Sequence, residues 1–453
     1  MLAAWPLISL ALVSKRDPVK AFTIIVIGGY LVLPVKTYFN AKGLPPIGKL
    51  EIIGLSALLA LAFRRPPDFK WLLPHPFLKA CLIIYIISPI FTVFTNADTL
   101  IEGTRILKGL ELYDILSLTL TKVLTLVPVI LAANYIKTRD DLTTFLKWLT
   151  ILGAFYCLVV LFELRMSPQL HAWIYGFFPH SFAQHVRDGG FRSAAFLGHG
   201  LVVSFFLFTI VAAAIALWRE KIRISPLPPI FIVVGLFCVL FLNKSLAAIG
   251  YGAAFLAICF FFKPRMHLLV AALLATATLS YPLLRGLDLV PTDYLVSVAE
   301  VAGPNRADSL GFRFYNEDIL LEKAQERPIF GWGRYGRNRV YSKLTGLDES
   351  VTDGTWIIEF GQFGVVGFLS LFGLLVGPIV LLYRRRDTFG NDPLVTISAL
   401  FLAFNGVELL LNSSLSPITW AFVGVLAARL GKAENPGYDI AHIPTLEGEV
   451  PTS

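Results

Sequence analysis

Long apolar runs separated by short polar or Pro/Gly-rich breaks follow one another along the whole chain. A helix that crosses a bilayer needs about 20 mostly apolar residues, and its backbone groups are all satisfied within the helix. The pattern therefore predicts an all-α polytopic membrane protein with 12 or 13 transmembrane helices. The spans are expected near residues 2–13, 20–37, 49–63, 76–95, 113–136, 145–164, 196–218, 227–243, 246–262, 267–284, 356–383, 394–411 and 415–431.

The breaks of greatest length divide the chain into helical regions and polar loops, and no soluble domain is expected. The C-terminal segment is polar and contains proline, which is typical of a disordered tail. The predicted regions are N-terminal transmembrane helices at 1–164, a first external loop at 165–195, central helices at 196–284, a large external loop at 285–355, C-terminal helices at 356–431 and a tail at 432–453.

Composition agrees with a location in the bilayer, and the distribution of charge indicates the orientation. Hydrophobic residues make up 56% of the chain and charged residues 15%, with a mean hydropathy of +0.69, which excludes an ordinary soluble protein. Much of the net charge of +8 comes from breaks such as "WREKIR" and "RRRD", as the positive-inside rule predicts for cytoplasmic loops. Both long loops are therefore expected outside, the tail in the cytoplasm, and no nucleic acid as a partner.

The large loop carries a charged island, "GFRFYNEDILLEKAQERPIFGWGRYGRNR", at residues 311–339. Ser309 is expected to cap an amphipathic helix that lies at the external membrane surface and stops before Pro328. The glycines of "PIFGWGRYG" then predict a tight loop whose backbone can approach another group closely. The predicted apolar stripe of the helix consists of Phe312, Ile319, Leu320 and Ala324.

The motifs that the chain lacks limit its chemistry. It has no P-loop, no G-x-S-x-G, no H-E-x-x-H and no external D-x-D pair. We therefore expect no ATP hydrolysis, no metal site and no cofactor. Arginines, a few carboxylates and histidines are the polar groups that remain.

Three cations near external ends of spans have two interpretations each. Arg313 can form a helical ion pair with Glu317, four residues on, or bind a phosphate through its guanidinium fork. Arg192, in "GGFRSAAFLGHG" at the mouth of the seventh span, can extend to lipid headgroups or bind the same phosphate. Lys244, in the short turn "LNKSLAAIG", can likewise reach headgroups or line a site. Two arginines that face one external cavity would suit a pyrophosphate.

Asp353 and His199 stand just before predicted spans, where polar side chains commonly cap helices. Asp353, in "SVTDGTWIIEFGQFGVVGF", can cap its span or serve as a general base beside a dry cavity. His199 lies between two glycines and can bond to the start of its helix or contact a ligand. The sequence leaves both roles open for each residue.

Four motifs occur in an order that resembles the signature of the O-antigen ligase and polymerase superfamily. They are "FRSAAFLGHG", "LNKSLAAIGYGAA", "ERPIFGWGRYG" and "TDGTWIIEFGQFGVVG", within about residues 190–385. The resemblance implies a GT-C-like, metal-independent glycosyltransferase of the bacterial inner (cytoplasmic) membrane, with its active site facing the periplasm or the cell exterior. Such an enzyme takes glycan from an undecaprenyl-pyrophosphate carrier, and its partners are membrane lipids and other polysaccharide-assembly proteins.

The resemblance also implies roles for single residues. Arg313 matches the family's loop arginine and Arg192 the arginine that opens the seventh span, so both are expected to bind the pyrophosphate. Asp353 is the expected catalytic base, and Arg313 is expected to stabilise the leaving pyrophosphate. "PIFGWGRYG" is expected to form a lid above Arg313. Further candidates are Lys244 and Arg334 for the pyrophosphate, and His199, Trp332 and Tyr335 for the substrate pocket.

Two departures from the family pattern bear on the type of reaction. Lipopolysaccharide ligases carry a histidine where this chain has Asp353, and many members have Ser-Arg where this turn reads "NKSLAA". Both departures favour a polymerase of O-antigen, capsule or exopolysaccharide repeat units over an O-antigen ligase that transfers glycan to lipid A core. A flippase for lipid-linked oligosaccharides and a peptidoglycan polymerase of the shape, elongation and division type would also have many spans and remain competing interpretations. A single base without a carboxylate nucleophile predicts inversion at the anomeric centre.

Overall fold

The computed structural model describes residues 1–13, 16–40, 44–187, 189–301 and 303–434, most of which are helical. Two short antiparallel hairpins interrupt the helices, β1 (Leu100–Glu102) with β2 (Arg105–Leu107) and β3 (Val186–Arg187) with β4 (Gly190–Phe191). The α-helices are α1 (Trp5–Val13), α2 (Pro18–Thr23), α3 (Gly29–Val32), α4 (Lys49–Ala62), α5 (Pro76–Phe94), α6 (Leu112–Tyr135), α7 (Arg139–Met166), α8 (Leu170–Tyr175), α9 (Gly200–Arg219), α10 (Pro229–Leu242), α11 (Leu246–Phe261), α12 (Pro264–Gly286), α13 (Thr292–Val301), α14 (Pro304–Gln325), α15 (Thr355–Arg384), α16 (Arg386–Phe389), α17 (Pro393–Leu411) and α18 (Pro417–Glu434).

The predicted spans coincide with helices of the structure. Among the described residues, seven helices are long and apolar enough to cross a membrane, namely α5, α6, α7, α9, α12, α15 and α17. The prediction of a helical, multi-pass membrane protein is thereby confirmed. A π-helix (Ile24–Gly28) joins α2 to α3, so that one shorter apolar helix runs from Pro18 to Val32. Helix α18 continues to Glu434, beyond the predicted start of the tail, and residues 435–453 lie outside the described residues.

Helices α9 and α17 lie at the centre of the bundle. Both are buried along nearly their whole lengths, as expected for helices that are apolar on all sides. They pack against each other, and Phe208 of α9 approaches Phe401 and Phe404 of α17 with ring centroids 6.0 and 5.8 Å away. Helices α7, α10 and α11 surround α9, while α12 and α15 pack on α17. This arrangement places the start of α9 beside the end of α17.

Helix α15 is kinked at Gly364, whose φ of 65° and ψ of −163° are not helical. The kink leaves backbone groups without partners inside the helix, and the segment 328–333 supplies them. The amides of Trp332 and Gly333 donate to the carbonyls of Gly361 and Gln362, each at 2.9 Å. The amide of Val365 in turn donates to the carbonyl of Pro328 at 2.8 Å. The segment is thus a structural partner of the kink.

The start of α15 and the end of α17 meet at one end of the bundle. The hydroxyl of Thr355, the first residue of α15, donates to the carbonyl of Asn412 at 3.1 Å. At the other end, Arg265 of α12 and Asp387 of α16 form an ion pair with a separation of 3.8 Å. The candidate site lies at the first of these two ends.

Candidate functional site

A cavity of about 750 Å³ opens at the end of the bundle where α9 and α15 begin and α17 ends. Its walls come from five segments of the chain. They are the segment around His180 and Gln184, the start of α9 with Arg192 and His199, the first half of α14 with the preceding glycine, and the segments 351–353 and 412–414. Of the predicted site residues, Arg192, His199, Arg313 and Asp353 line this one cavity.

Arg192 is held in place by the short turn between α10 and α11. Its side chain is almost fully buried, and one guanidinium nitrogen donates to the backbone carbonyl of Lys244 at 2.9 Å. Asn243, the residue before, accepts from the amide of Ser193 at 3.1 Å and donates to the hydroxyl of Ser204 at 2.8 Å. The motif "LNKSLAA" therefore contributes a side-chain amide and a carbonyl that position Arg192.

A buried carboxylate fixes the backbone that follows Arg192. Glu163 of α7 accepts hydrogen bonds from the Ser193 hydroxyl at 2.8 Å and from the amides of Ala194 and Ala195 at 3.0 and 2.7 Å. The ammonium of Lys49 donates to the carbonyl of Phe196 at 2.8 Å. Charged groups in a membrane protein are costly unless satisfied in this way. Glu163 and Lys49 therefore both have partners in the segment before α9, and these contacts fix its backbone.

Helix α14 presents Arg306, Ser309 and Arg313 to the cavity. The spacing of three and four residues puts these side chains on one face of the helix. The helix begins at Pro304 with Gly303 as its cap, so the prediction that Ser309 caps it was wrong. The proline explains the earlier start, because its fixed φ suits the first turn of a helix.

The opposite side of α14 packs into the protein. Of the predicted apolar stripe, Leu320 and Ala324 are buried, whereas Phe312 is 53% exposed and lines the cavity. Glu317 is also buried there and accepts from the hydroxyl of Tyr281 at 2.8 Å and from the indole of Trp356 at 3.2 Å. Burial raises the pKa of Glu317. The polar contacts fix α14 against α12 and α15.

Arg313 pairs with Asp353 and not with Glu317. The Nε atom of Arg313 lies 3.6 Å from a carboxylate oxygen of Asp353, and its Nη1 atom donates to the carbonyl of Leu411 at 3.2 Å. Glu317 forms its ion pair with Arg285, at 3.4 Å. The interpretation of a helical Arg313–Glu317 pair is therefore wrong, because Arg285 of α12 lies beside that carboxylate.

Asp353 does not cap the helix that follows it. The cap of α15 is Gly354, and no side-chain hydrogen bond closes this helix start. The carboxylate is instead directed to the cavity, where it faces Arg313 and remains 40% exposed. Asp353 is the single carboxylate among the described residues that line the cavity.

His199 both caps α9 and lines the cavity. Its Nδ1 atom accepts from the amide of Leu201 at 3.2 Å, so the ring proton is on Nε2, which lies 3.1 Å from the side-chain oxygen of Gln184. Burial, with smaller contributions from neighbouring histidines and arginines, lowers the pKa of His199 to about 3. The ring of His180 packs against it with centroids 4.7 Å apart. Because both ring nitrogens of the neutral His199 have hydrogen-bond partners, this residue forms part of the cavity wall and is not available as a base.

Lys244, Arg334, Trp332 and Tyr335 lie outside the cavity. The ammonium of Lys244 lies beside Gly190, and the backbone carbonyl of Lys244 accepts from Arg192. The indole of Trp332 is buried and donates to the carbonyl of Lys323 at 2.6 Å. Tyr335 lies beside Asp114 and Ser117 of α6, and the exposed Arg334 precedes it in the sequence. The structure therefore does not bring these four side chains to the other candidates.

The expected lid is in a different place. Phe330 of "PIFGWGRYG" stacks on Phe91 of α5 with ring centroids 5.2 Å apart, and its carbonyl accepts from the hydroxyl of Thr92 at 2.7 Å. Together with the bonds to the kink of α15, these contacts hold the motif against α5 and α15. The prediction of a lid above Arg313 was wrong because the kinked helix offers backbone partners that the sequence pattern does not reveal.

Comparison with known proteins adds no relative to this description. No protein-family model matches the chain, and no curated protein matches it with significance. The function of the cavity is therefore inferred from the residues that line it.

Sequence reasoning missed several residues of the cavity. Arg306 precedes Arg313 by two helical turns, a spacing that would have revealed it had the helix start been placed correctly. The polar triplet after α17, which follows an apolar span at the same end of the bundle, was a second signal. Its members are Asn412, Ser413 and Ser414.

Within the described residues, no group of three or more His, Cys, Asp or Glu side chains is arranged to hold a metal ion.

Proposed function

We propose that this protein is a membrane glycosyltransferase that polymerises glycan repeat units from a polyprenyl-pyrophosphate carrier. The observation that carries the proposal is the convergence of Arg192, Arg306, Arg313 and Asp353 on one cavity. Among the described lining residues, three guanidinium groups thus stand against a single carboxylate. The excess of fixed positive charge suits a pyrophosphate, since guanidinium groups donate to phosphate oxygens in a fork geometry.

The proposed reaction is a single displacement. The acceptor hydroxyl oxygen forms a bond to the anomeric carbon while the bond from that carbon to the pyrophosphate oxygen breaks. The pyrophosphate leaves with the electron pair, and Arg192, Arg306 and Arg313 stabilise its charge. Asp353 takes the proton of the attacking hydroxyl. Because the ring nitrogens of His199 are both engaged, Asp353 is the better candidate for the base.

The stereochemistry follows from the number of carboxylates. A retaining glycosidase-type mechanism needs a second carboxylate about 5–5.5 Å from the first, to act as a nucleophile. Asp353 has no such neighbour among the described residues that line the cavity. Glycosyl transfer with inversion at the anomeric carbon is the expected outcome.

The proposed topology places the cavity on the outer face of the inner membrane. Arg219 at the end of α9 and Arg384 at the end of α15 lie at the end of the bundle away from the cavity. Under the positive-inside rule that basic end faces the cytoplasm. Residues 285–355 would then form the large external loop of a GT-C-like enzyme with 12 or 13 spans. The motif resemblance to the O-antigen ligase and polymerase superfamily supports the same orientation.

The experiment uses the purified full chain in lipid nanodiscs with radiolabelled polyprenyl-pyrophosphate-linked repeat units. A ladder of longer products with these units alone supports a polymerase, whereas a requirement for added lipid A core indicates a ligase. Movement of the lipid across vesicles without a new glycosidic bond indicates a flippase. The last two outcomes overturn the proposed polymerisation.

Substitution of the arginines links the activity to the cavity. Arg313→Ala and Arg306→Ala should each reduce product formation by tenfold or more, since a hydrogen bond to a charged group contributes about 1.5–3 kcal/mol. Arg265→Ala is the matched control, because Arg265 also pairs with an aspartate but lies at the other end of the bundle. Full activity of Arg313→Ala would contradict the pyrophosphate role.

A further inference from the structure

One wall of the cavity carries no charged side chain. It consists of Asn412, Ser413 and Ser414, named here the α17 turn because it follows the last residue of α17. Ser414 is only 5% exposed, and its hydroxyl oxygen has no hydrogen-bond partner among the described residues. A buried hydroxyl without a partner is unfavourable in a folded protein. Since Ser414 lines the cavity, a ligand with hydroxyl groups can supply the partner.

The side chain of Asn412 is oriented from behind by Glu408. The amide nitrogen of Asn412 donates to a carboxyl oxygen of Glu408 at 2.8 Å, and the side chain of Tyr251 lies beside the same carboxyl group. A carboxylate accepts hydrogen bonds, so the amide nitrogen and not the amide oxygen is turned towards it. The amide oxygen of Asn412 is thereby left for other donors.

The charges near the α17 turn disfavour a phosphate at this wall. The carbonyl groups at the end of a helix carry negative partial charge, and the carboxyl group of Glu408, a hydrogen-bond acceptor, lies one helical turn before Asn412. The carbonyl of Leu411 accepts from Arg313, so this wall directly adjoins the arginines. A ligand that carries hydroxyl donors next to a phosphate fits a cavity with arginines on one wall and the α17 turn on the other. A sugar attached to a pyrophosphate has this chemistry.

We propose that the α17 turn is the subsite for the sugar nearest the pyrophosphate. Asn412 and Ser414 hydrogen-bond its hydroxyl groups, Ser413 contributes from the more exposed edge, and Glu408 is a positioning residue that fixes the Asn412 amide. The inference rests on the proposed function and adds to it the residues that recognise the glycan. Recognition of the sugar is thereby separated in space from recognition of the phosphates.

The test compares two probes on the full chain in nanodiscs. One is a polyprenyl pyrophosphate without sugar, and the other is the same lipid carrying the oligosaccharide from the source cells. The native protein should bind the glycan-bearing lipid more tightly. Ser414→Ala and Asn412→Ala should weaken that binding by about tenfold, the equivalent of one lost hydrogen bond, and leave the affinity for the sugar-free lipid unchanged.

The thermal unfolding midpoint Tm separates recognition from folding. Ser414→Ala removes a hydroxyl that has no partner among the described residues, so its Tm should equal or exceed that of the native protein. Ser297→Ala is the matched control, because Ser297 is exposed on α13 and its hydroxyl bonds within its own helix. It should change neither affinity nor Tm.

Three results would overturn the proposed sugar subsite while the proposed function stands. They are equal affinity of the native protein for both lipids, equal weakening of both by Ser414→Ala, and no weakening of either. Binding of neither lipid by the native protein would instead contradict the proposed function itself. The proposed division of the cavity into a phosphate wall and a sugar wall is supported if Arg313→Ala weakens binding of both lipids and Ser414→Ala weakens binding of the glycan-bearing lipid alone.

Discussion

The Nε atom of Arg313 lies 3.6 Å from the carboxylate of Asp353, and this contact joins α14 to the start of α15 inside the cavity. The pair combines a group that can bind a leaving phosphate with a group that can accept a proton. The guanidinium also donates to the carbonyl of Leu411, which fixes its position relative to α17. Three helices thus determine the distance between the two candidate catalytic groups.

Replacement of Asp353 by asparagine tests the proton acceptor. The amide is almost the same size and cannot accept the proton, so kcat for glycan polymerisation should fall by about 10²–10⁴. The KM for the lipid-linked donor should change little, since the arginines still bind the pyrophosphate. Initial rates over a range of donor concentrations separate the two parameters. An unchanged kcat would remove Asp353 from the mechanism.

Two substitutions in the turn between α10 and α11 test whether Lys244 acts through its side chain or through its backbone. Lys244 has a φ of 55° and reaches Arg192 through its carbonyl, so Lys244→Gly keeps both the conformation and the contact. Asn243→Ala removes two buried hydrogen bonds and leaves the Ser193 amide and the Ser204 hydroxyl without these partners. Each unsatisfied buried group lowers the free energy of unfolding by about 1–3 kcal/mol. We expect Lys244→Gly to retain much more transferase activity than Asn243→Ala. The reverse order would support a direct contact between the Lys244 ammonium and the pyrophosphate.

The kink of α15 should depend on Gly364. A Cβ atom at this position would lie 2.3 Å from the backbone of Ile329, and the positive φ strains any other residue by about 1–3 kcal/mol. Gly364→Ala should therefore lower Tm clearly. Gly235→Ala in α10 is the control, since a Cβ atom there meets nothing within 4 Å and alanine favours helix by about 0.4–1 kcal/mol. A similar Tm for both variants would show that the kink is not required.

The free energy of unfolding should depend on pH through His185, which packs beside the cavity residue His199. Burial lowers the pKa of His185 to about 4, below its usual 6.5, and its ring packs against Phe178 and His199. The unfolded chain therefore binds a proton between these two values that the folded chain does not bind. The contribution of the neutral His185 ring to the free energy of unfolding is fully present above pH 6.5 and is lost as the pH decreases towards about 4.

His185→Phe keeps an aromatic ring and removes the titrating group. The decrease in Tm between about pH 7 and about pH 4 should therefore be smaller in this variant than in the native protein. Thermal unfolding in nanodiscs at several pH values measures the difference. Parallel curves for the two proteins would mean that His185 contributes nothing to the acid sensitivity.

The helical membrane class and the positions of the apolar helices could be predicted from the sequence, and so could four residues of the cavity. Apolar runs of this length have one solution in lipid, a helix with its backbone satisfied internally. The alternation of basic and charge-poor breaks grouped Arg192 and His199 with Arg313 and Asp353 at one end of the bundle. Sequence alone determined this grouping because it depends only on the length of the spans and the charge of the loops.

The partners of individual side chains were decided only by the tertiary structure. Glu317 pairs with Arg285 because two helices that are distant in sequence pack together. The segment around Trp332 packs against α15 because the kink at Gly364 leaves backbone groups that this segment can bond. Arg306 and Ser414 reach the cavity through the early start of α14 and the place where α17 ends. Local patterns cannot specify such contacts, since each one depends on residues from separate parts of the chain that approach only when the bundle is assembled.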